Sequence, residues 1–202
     1  ILPETGGNLS EIIGEDMEIL EAIEKRRSIR KFIDKEISKE DVLDILNCGR
    51  FAPSAKNRQP WIFVVASSEV KEKISKLMIN YGNSEDYALK CIKFNCNQSV
   101  AFTGNVIDKG DVLVLILREK DDNWLLADTL SIGACVENMC LRATELGIGS
   151  LFISDIVTVS SEVLDLINFK DMELSCALLL GYPNQDPKMR PRNDLKNIVK
   201  WL

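Results

Sequence analysis

The densest group of reactive side chains in the chain is the segment Arg26-Arg27-Ser28-Ile29-Arg30. Arginine presents a rigid fork of N–H donors that matches phosphate oxygens, and a serine hydroxyl adds a further donor. Because three arginines and a serine fall within five residues at the end of a predicted helix, this arginine segment indicates a binding site for a dianionic group. The alternative interpretation is a basic surface that contacts only solvent.

Composition restricts the chemistry that the rest of the chain can do. The 202 residues include no histidine, which excludes imidazole bases, Ser-His and Cys-His nucleophile pairs, and histidine metal ligands. Lysine and arginine number 25 against 31 aspartate and glutamate, so the formal net charge is −6. Nucleic acid is therefore not the expected partner, because duplex binding depends on a basic surface. The arginine segment is a local feature of an acidic protein, as expected of a small-anion site.

The cysteines and the hydropathy pattern are those of an ordinary intracellular protein. The six cysteines are Cys48, Cys91, Cys96, Cys135, Cys140 and Cys176, and none of them forms a CxxC pair. We therefore expect reduced, mostly buried thiols of a cytoplasmic protein, with no metal site. No run reaches the roughly 18 apolar residues of a membrane span. No secretory signal is visible either, so membrane association is not expected.

Capping residues and apolar periods predict the helices. An apolar period just before the arginine segment predicts a short helix that ends next to the arginines. Ser38 predicts the start of a second helix, and Ser68 and Ser160 are expected to cap two more. A long helix over residues 125–146 is expected to end at Gly147, because glycine is favoured just beyond a helix.

Apolar runs predict four strands, over residues 61–66, 111–117, 150–154 and 174–180. The second and fourth runs are continuously apolar, which is typical of strands covered on both faces. Residues 80–110 have no sustained period and are expected to be irregular or partly helical. Because helices and strands mix without a strict βαβ repeat, the predicted fold class is α+β, with one domain over residues 17–202. Residues 1–16 are interpreted as a leader or disordered arm.

Four pieces of sequence, in order, carry a resemblance to a known family. They are the arginine segment, the loop Pro53-Ser54-Ala55-Lys56-Asn57-Arg58-Gln59-Pro60-Trp61, the long helix ending at 146–149, and Gly181-Tyr182-Pro183 followed by a basic tail. Together they resemble the FMN-dependent nitroreductase family, over nearly everything from Met17 onward. The resemblance implies a nitroreductase-like fold, with a mostly antiparallel central sheet flanked by helices. It also implies a homodimer with FMN at the interface.

The resemblance implies that the FMN phosphate is held by Arg26, Ser28, Arg190 and Arg192, with Lys188 as a further candidate. A phosphate dianion needs several fixed donors, and these residues belong to the two basic clusters that have rigid neighbours. A solvated tail is the alternative interpretation for the two arginines near the C-terminus.

The resemblance also implies which residues contact the ring of the flavin. Arg30 matches a residue that points at the pyrimidine edge near N1 and O2, where a fixed cation stabilises the reduced flavin. Arg27 is expected to contribute backbone contacts or a surface charge. Ile153, Ser154 and Asp155 match the segment whose backbone N–H faces flavin N5, although many family members carry a glycine or a Glu-Gly pair there.

The loop at residues 53–59 reaches the flavin of the other subunit in the family. Its implied contacts are made by Pro53, by the backbone of Ser54 and Ala55, and by the side-chain amides of Asn57 and Gln59. An ordinary turn before a strand is the alternative, since such residues are common in turns. Larger family members also place an asparagine and a lysine at the pyrimidine ring, for which the candidates are Asn80, Asn83, Lys90 and Lys93.

The implied activity is that of an FMN-dependent oxidoreductase. It would take a hydride from NAD(P)H at flavin N5 and pass electrons to a small acceptor, such as a nitro compound or a quinone, by a ping-pong mechanism. The chain has no Rossmann GxGxxG, which fits transient nicotinamide binding over the flavin. One alternative is a flavin-binding carrier or sensor without its own NAD(P)H turnover. Another is a nucleic-acid binder that uses the basic segment 25–31, which the acidic composition argues against.

Overall fold

The computed structural model describes residues 18–94 and 98–202. Within these ranges the chain forms eight α-helices: α1 (Ile19–Lys25), α2 (Lys39–Arg50), α3 (Ser68–Gly82), α4 (Glu85–Phe94), α5 (Val100–Lys109), α6 (Leu125–Glu145), α7 (Ser160–Ile167) and α8 (Leu195–Ile198). It also forms four strands: β1 (Ile62–Val65), β2 (Val112–Glu119), β3 (Gly149–Ile153) and β4 (Met172–Gly181). The leader predicted over residues 1–16, and Cys96, lie outside the described residues.

The four strands form one antiparallel sheet in the order β1-β2-β4-β3. Alternate residues of β2 enter different apolar clusters: Leu113 and Leu115 face the cluster with α3, α4, α5 and α7, whereas Val114 and Ile116 face the one with α2 and α6. Because side chains alternate along a strand, both faces of the sheet are covered. This explains why the runs in β2 and β4 are continuously apolar, as predicted, and it confirms the α+β fold class.

Helix ends agree with the sequence prediction at two of four capping positions. The Ser38 hydroxyl accepts a hydrogen bond from the Asp41 N–H at 3.0 Å, as predicted. Gly147 follows α6 and has a φ of 70°. The N–H of Ile148 then donates to the carbonyl of Ala143 at 2.8 Å. Such a left-handed position is open to glycine at little cost.

The other two capping predictions are wrong. Ser67 caps α3 in place of Ser68, because its hydroxyl is the one that reaches the N–H three residues ahead. Ser160 makes no capping bond. A 3-10 turn over Asp155–Val159 runs directly into α7, so the Ser160 N–H already has a backbone acceptor, the carbonyl of Val157.

Residues 80–110 are more regular than their sequence suggested, with α4 and α5 occupying most of this region. The expectation that this region is partly helical is confirmed. Its glycines do not break the helices but lie where two helices come close together. A Cβ on Gly104 would lie 2.9 Å from Ile79 Cγ1, and one on Gly82 would lie 2.2 Å from the backbone nitrogen of Ala101. These glycines therefore allow α5 to pack closely against α3. None of the helices in the described ranges is long and apolar enough to cross a bilayer.

Candidate active site

The arginine segment is fixed to the sheet by its central residue. The N–H of Ile29 donates to the carbonyl of Ser150 on β3 at 2.9 Å, and the side chain of Ile29 is buried. A Cβ on Gly149 would lie 2.8 Å from Ile29 Cγ1, so the isoleucine needs glycine opposite it. One buried residue therefore anchors the segment and leaves the residues beside it facing a cavity.

That cavity has a volume of about 240 Å³ and is called the cationic cavity here. Within the described part of the chain, its lining includes no acidic residue and six basic ones: Arg26, Arg27, Arg30, Lys188, Arg190 and Arg192. Ser28 lines it as well. The segment and the basic tail, about 160 residues apart in the chain, thus meet in space. Six cations around so small a volume favour a multiply charged anion.

Two arginines of the segment are oriented by local bonds. Arg26 pairs through Nε with Glu137 Oε1 on α6 at 3.2 Å, which leaves its terminal nitrogens for other partners. Arg27 donates from a terminal nitrogen to the carbonyls of Arg26, at 2.8 Å, and Glu24. Its Nε is buried and has no partner among the described residues. A buried donor without an acceptor is energetically costly. Arg27 also lines the cationic cavity, so it is not a simple surface charge.

A second, wider cavity of about 540 Å³ adjoins the first and is called the aromatic cavity here. It shares Arg30 and Arg190 with the cationic cavity, and its walls include Phe102 and Phe152, which are 56% and 50% exposed. The predicted residues Ile153 and Ser154 line it too, at the end of β3. The two neighbouring cavities are together called the groove here: six basic side chains line the first, and exposed aromatic faces line the second.

Among the described residues, Asp155 is the only acidic one that lines the aromatic cavity. Its Oδ2 accepts hydrogen bonds from the hydroxyls of Thr103, at 2.8 Å, and Ser99, at 3.0 Å. These two hydroxyls lie at the start of α5, so the bonds join α5 to the turn that follows β3. The carboxylate is thereby held in one position at the cavity wall.

The loop at residues 53–59 lies elsewhere in the same chain. None of its predicted site residues lines either cavity: Pro53, Ser54, Ala55, Asn57 and Gln59. The loop leads into β1, at one edge of the sheet, whereas the cavities border β3 at the other edge. Three strand spacings separate these edges, which is roughly 14 Å. Within one chain, the structure does not bring the loop to the arginine segment.

The backbone of this loop is strained and tightly held. Lys56, Asn57 and Gln59 have φ values of 52°, 55° and 48°, a conformation that costs energy for residues with a Cβ. The Ser54 hydroxyl accepts the N–H of Gln59 at 3.0 Å. Arg58 pairs with the buried Asp128 of α6 at 3.3 Å. These contacts hold the loop in this conformation.

Arg58 belongs to a larger charged cluster behind the loop. Its guanidinium lies 4.5 Å from the centre of the Trp124 ring and 3.6 Å from the carboxylate of Asp121. Asp128 also lies 3.8 Å from Arg118, which is 2% exposed and pairs with Glu173. Burying such charges is tolerable only because each has an oppositely charged partner.

The four candidates from residues 80–110 do not line the groove, while other residues of that region do. Lys90 donates to the hydroxyl of Tyr81 at 2.8 Å, and Asn80, Asn83 and Lys93 line neither cavity. The residues of this region that reach the aromatic cavity were not predicted: Ser99, Phe102, Thr103 and Val106. Their spacing of three, four and seven places them on one face of α5, which is the signal that could have identified them.

The described cysteines form no second reactive site. Cys91, Cys135, Cys140 and Cys176 are buried cysteines, and Cys48 is half-buried, so the described cysteines are mostly buried, as the sequence predicted. Burial raises the pKa of Cys135 and Cys176 to about 12 and that of Cys140 to about 11, so these thiols are poor nucleophiles. No group of three or more potential metal ligands was found among residues 18–94 and 98–202.

Comparison with known proteins agrees with the fold and places the chain in a family. A Bacillus subtilis protein named as an NAD(P)H nitroreductase, YfhC, is 24% identical over 191 residues, covering 93% of this chain and 96% of that protein. A Desulfovibrio desulfuricans protein described as a nitroreductase and solved with FMN aligns with a TM-score of 0.72 and 23% identity, over 91% of this chain and 96% of its own.

A further structural relative is the NADPH:FMN oxidoreductase of Vibrio harveyi, solved with NAD⁺. It aligns with a TM-score of 0.74 and 18% identity, over 91% of this chain and 76% of its own. The sequence model of the nitroreductase family matches residues 23–182, which include the arginine segment and the loop but not the basic tail. Because this match covers most of the chain, the protein belongs to the nitroreductase family.

Proposed function

We propose that the protein is an FMN-dependent oxidoreductase that uses NAD(P)H to reduce a small acceptor. One observation carries the proposal: the cationic cavity and the aromatic cavity are neighbours that share Arg30 and Arg190 in their walls. This order of charge and apolar surface matches a molecule with a phosphate at one end and a flat ring at the other. The solved relatives with FMN and with NAD⁺, which share the fold, support the same conclusion.

The cationic cavity fits the phosphate of FMN. Arg26, Ser28, Arg190 and Arg192 would hold it, because they combine charge with directed donors on two separate chain segments. Arg27, which the resemblance assigned backbone contacts or a surface charge, lines the same cavity and adds a further positive charge. Lys188 lines the same cavity and adds positive charge.

The aromatic cavity would accommodate the ring. When bound, FMN would supply the hydride and electron transfer that protein side chains cannot perform. Arg30 lines both cavities and would place a fixed cation beside the pyrimidine edge, where negative charge develops. Ile153 and Ser154 at the end of β3 would border the central part of the ring. NAD(P)H and the acceptor would then use the same cavity in turn, which predicts ping-pong kinetics.

The strained loop at residues 53–59 would complete the site of a second subunit. Its distance from the groove in its own chain, and its fixed conformation, support a contribution across a homodimer interface. A mixed-variant experiment tests this: Arg26→Ala and Asn57→Ala proteins are combined under conditions that exchange subunits. If each site takes Arg26 from one protomer and Asn57 from its partner, mixed dimers regain one intact FMN site. No gain in FMN binding over the two separate variants would contradict sharing.

An absorbance spectrum of the purified protein, followed by anaerobic NADH or NADPH, tests the proposed function. A flavin band that bleaches with either nucleotide is the expected result. A flavin band that persists with both would favour the carrier or sensor, which binds FMN without NAD(P)H turnover. A protein that fails to bind added FMN would contradict the proposal entirely.

A further inference from the structure

The charges of the groove are unevenly distributed. Arg30 and Arg190 line both the cationic cavity and the aromatic cavity. Asp155 lines the aromatic cavity alone. The acidic residue therefore belongs to the part of the groove that a phosphate group does not occupy.

Asp155 is fixed but not neutralised. Both hydroxyl donors, from Ser99 and Thr103, bond to Oδ2, and no hydrogen bond to Oδ1 was found in the described part of the chain. No lysine or arginine among those residues forms an ion pair with this carboxylate within 4.0 Å. Since hydroxyl groups carry no net charge, the negative charge of Asp155 acts on whatever enters the cavity.

The remaining walls favour a flat ring. Phe102 projects from α5 and Phe152 from β3, and both keep half or more of their surface exposed in the cavity wall. Aromatic faces bind flat apolar molecules, and they also attract cations through the negative charge of the ring face. The phenylalanines and the carboxylate therefore both favour a flat ligand that carries a positive charge.

We propose that Asp155 makes the aromatic cavity select flat aromatic acceptors that carry a cationic or N–H-donating substituent over those that carry a carboxylate. The inference rests on the function proposed above, because it assumes that the acceptor enters this cavity. It assigns Asp155 a role in specificity that the arginine segment does not provide.

The first test compares two ligands that are not reduced, benzamidinium and benzoate, which have similar shapes and opposite charges. Their dissociation constants for the FMN-loaded protein are measured by isothermal titration calorimetry. Benzamidinium is expected to bind about tenfold more tightly than benzoate, the order of effect of one nearby partly screened charge. Equal affinities, or tighter binding of benzoate, would overturn the proposal without any variant.

The second test removes the charge and keeps the hydrogen bonds. In the Asp155→Asn variant, the amide oxygen still accepts from Ser99 and Thr103, so the turn is retained. The preference for benzamidinium should fall about tenfold, the same factor that the carboxylate is expected to supply. Asp171→Asn, an exposed charge change outside both cavities, should leave it unchanged. Equal preferences in wild type and Asp155→Asn would contradict the role of Asp155.

The third test follows turnover with a matched pair of nitro compounds, 4-nitrobenzylamine and 4-nitrobenzoate. The ratio of their kcat/KM values should favour the amine in wild type and shift toward the acid in Asp155→Asn. Anaerobic bleaching of the flavin by NAD(P)H is recorded on the same samples. Bleaching with no preference between the acceptors would refute the selectivity and leave the proposed function intact, whereas absence of bleaching would refute the function itself.

Discussion

The replacement Arg26→Ala offers the most direct test of the cationic cavity. Arg26 uses its Nε to pair with Glu137, so only its terminal nitrogens are available to a phosphate in the cavity. Five other basic residues line the same cavity and would still attract the anion. One or two charge-assisted hydrogen bonds are therefore lost, and the expected cost is the lower part of the usual range, about 1.5–2 kcal/mol.

That cost corresponds to a roughly 10- to 30-fold rise in the dissociation constant of FMN. The measurement is a fluorescence titration of the flavin-free protein with FMN and, in parallel, with riboflavin, which lacks the phosphate. Arg26→Ala should weaken the binding of FMN and leave that of riboflavin nearly unchanged. An equal loss for both flavins would refute the phosphate assignment.

Glu137→Gln provides the matched control, because it removes the negative charge that pairs with Arg26 and keeps the cation. FMN affinity should stay the same or rise, since no carboxylate then competes with the phosphate for Arg26. A loss as large as that of Arg26→Ala would mean that the ion pair maintains the shape of the segment. The contact with phosphate would then not explain the effect of Arg26.

Two further predictions concern stability. Asp128→Asn should lower the free energy of unfolding in urea by about 3 kcal/mol, because it leaves the buried Arg118 with a weakened set of partners; a change below about 0.5 kcal/mol would contradict this. Burial raises the pKa of Cys135 and Cys176 to about 12, so above pH 9 these thiols ionise in the unfolded chain alone. The free energy of unfolding should therefore be retained below pH 9 and should fall toward pH 12, by about 1.4 kcal/mol per pH unit for each thiol. In a double variant that carries Cys135→Ala and Cys176→Ala, this fall should be smaller.

Local signals in the sequence were sufficient for the parts of the fold that depend on near neighbours. The cap at Ser38 and the helix end at Gly147 each require only a few adjacent residues, and both were predicted correctly. The continuous apolar runs likewise indicated strands covered on both faces. The meeting of the arginine segment with Arg190 and Arg192 was expected from family resemblance, since no local pattern links residues so far apart.

The errors arise where distant residues determine the structure. The second strand was expected to end at Leu117, before two charged residues, yet β2 continues to Glu119. Arg118 stays buried in the strand because Asp128 and Glu173 pair with it, and no local pattern reveals such partners. Likewise, the polar character of residues 80–110 concealed α5, whose Ser99 and Thr103 serve the cavity and not a helix cap.

The attachment of the arginine segment to Ser150 has a consequence for solubility. In the sheet order, β3 is an edge strand, and an open strand edge can pair with other chains and start aggregation. The bond from Ile29 and the short parallel bridge between Ser28 and Ser150 cover part of that edge. The residues that would hold the phosphate therefore also protect the sheet. Flavin-free protein, in which repulsion between uncompensated arginines loosens the segment, should aggregate faster than flavin-loaded protein.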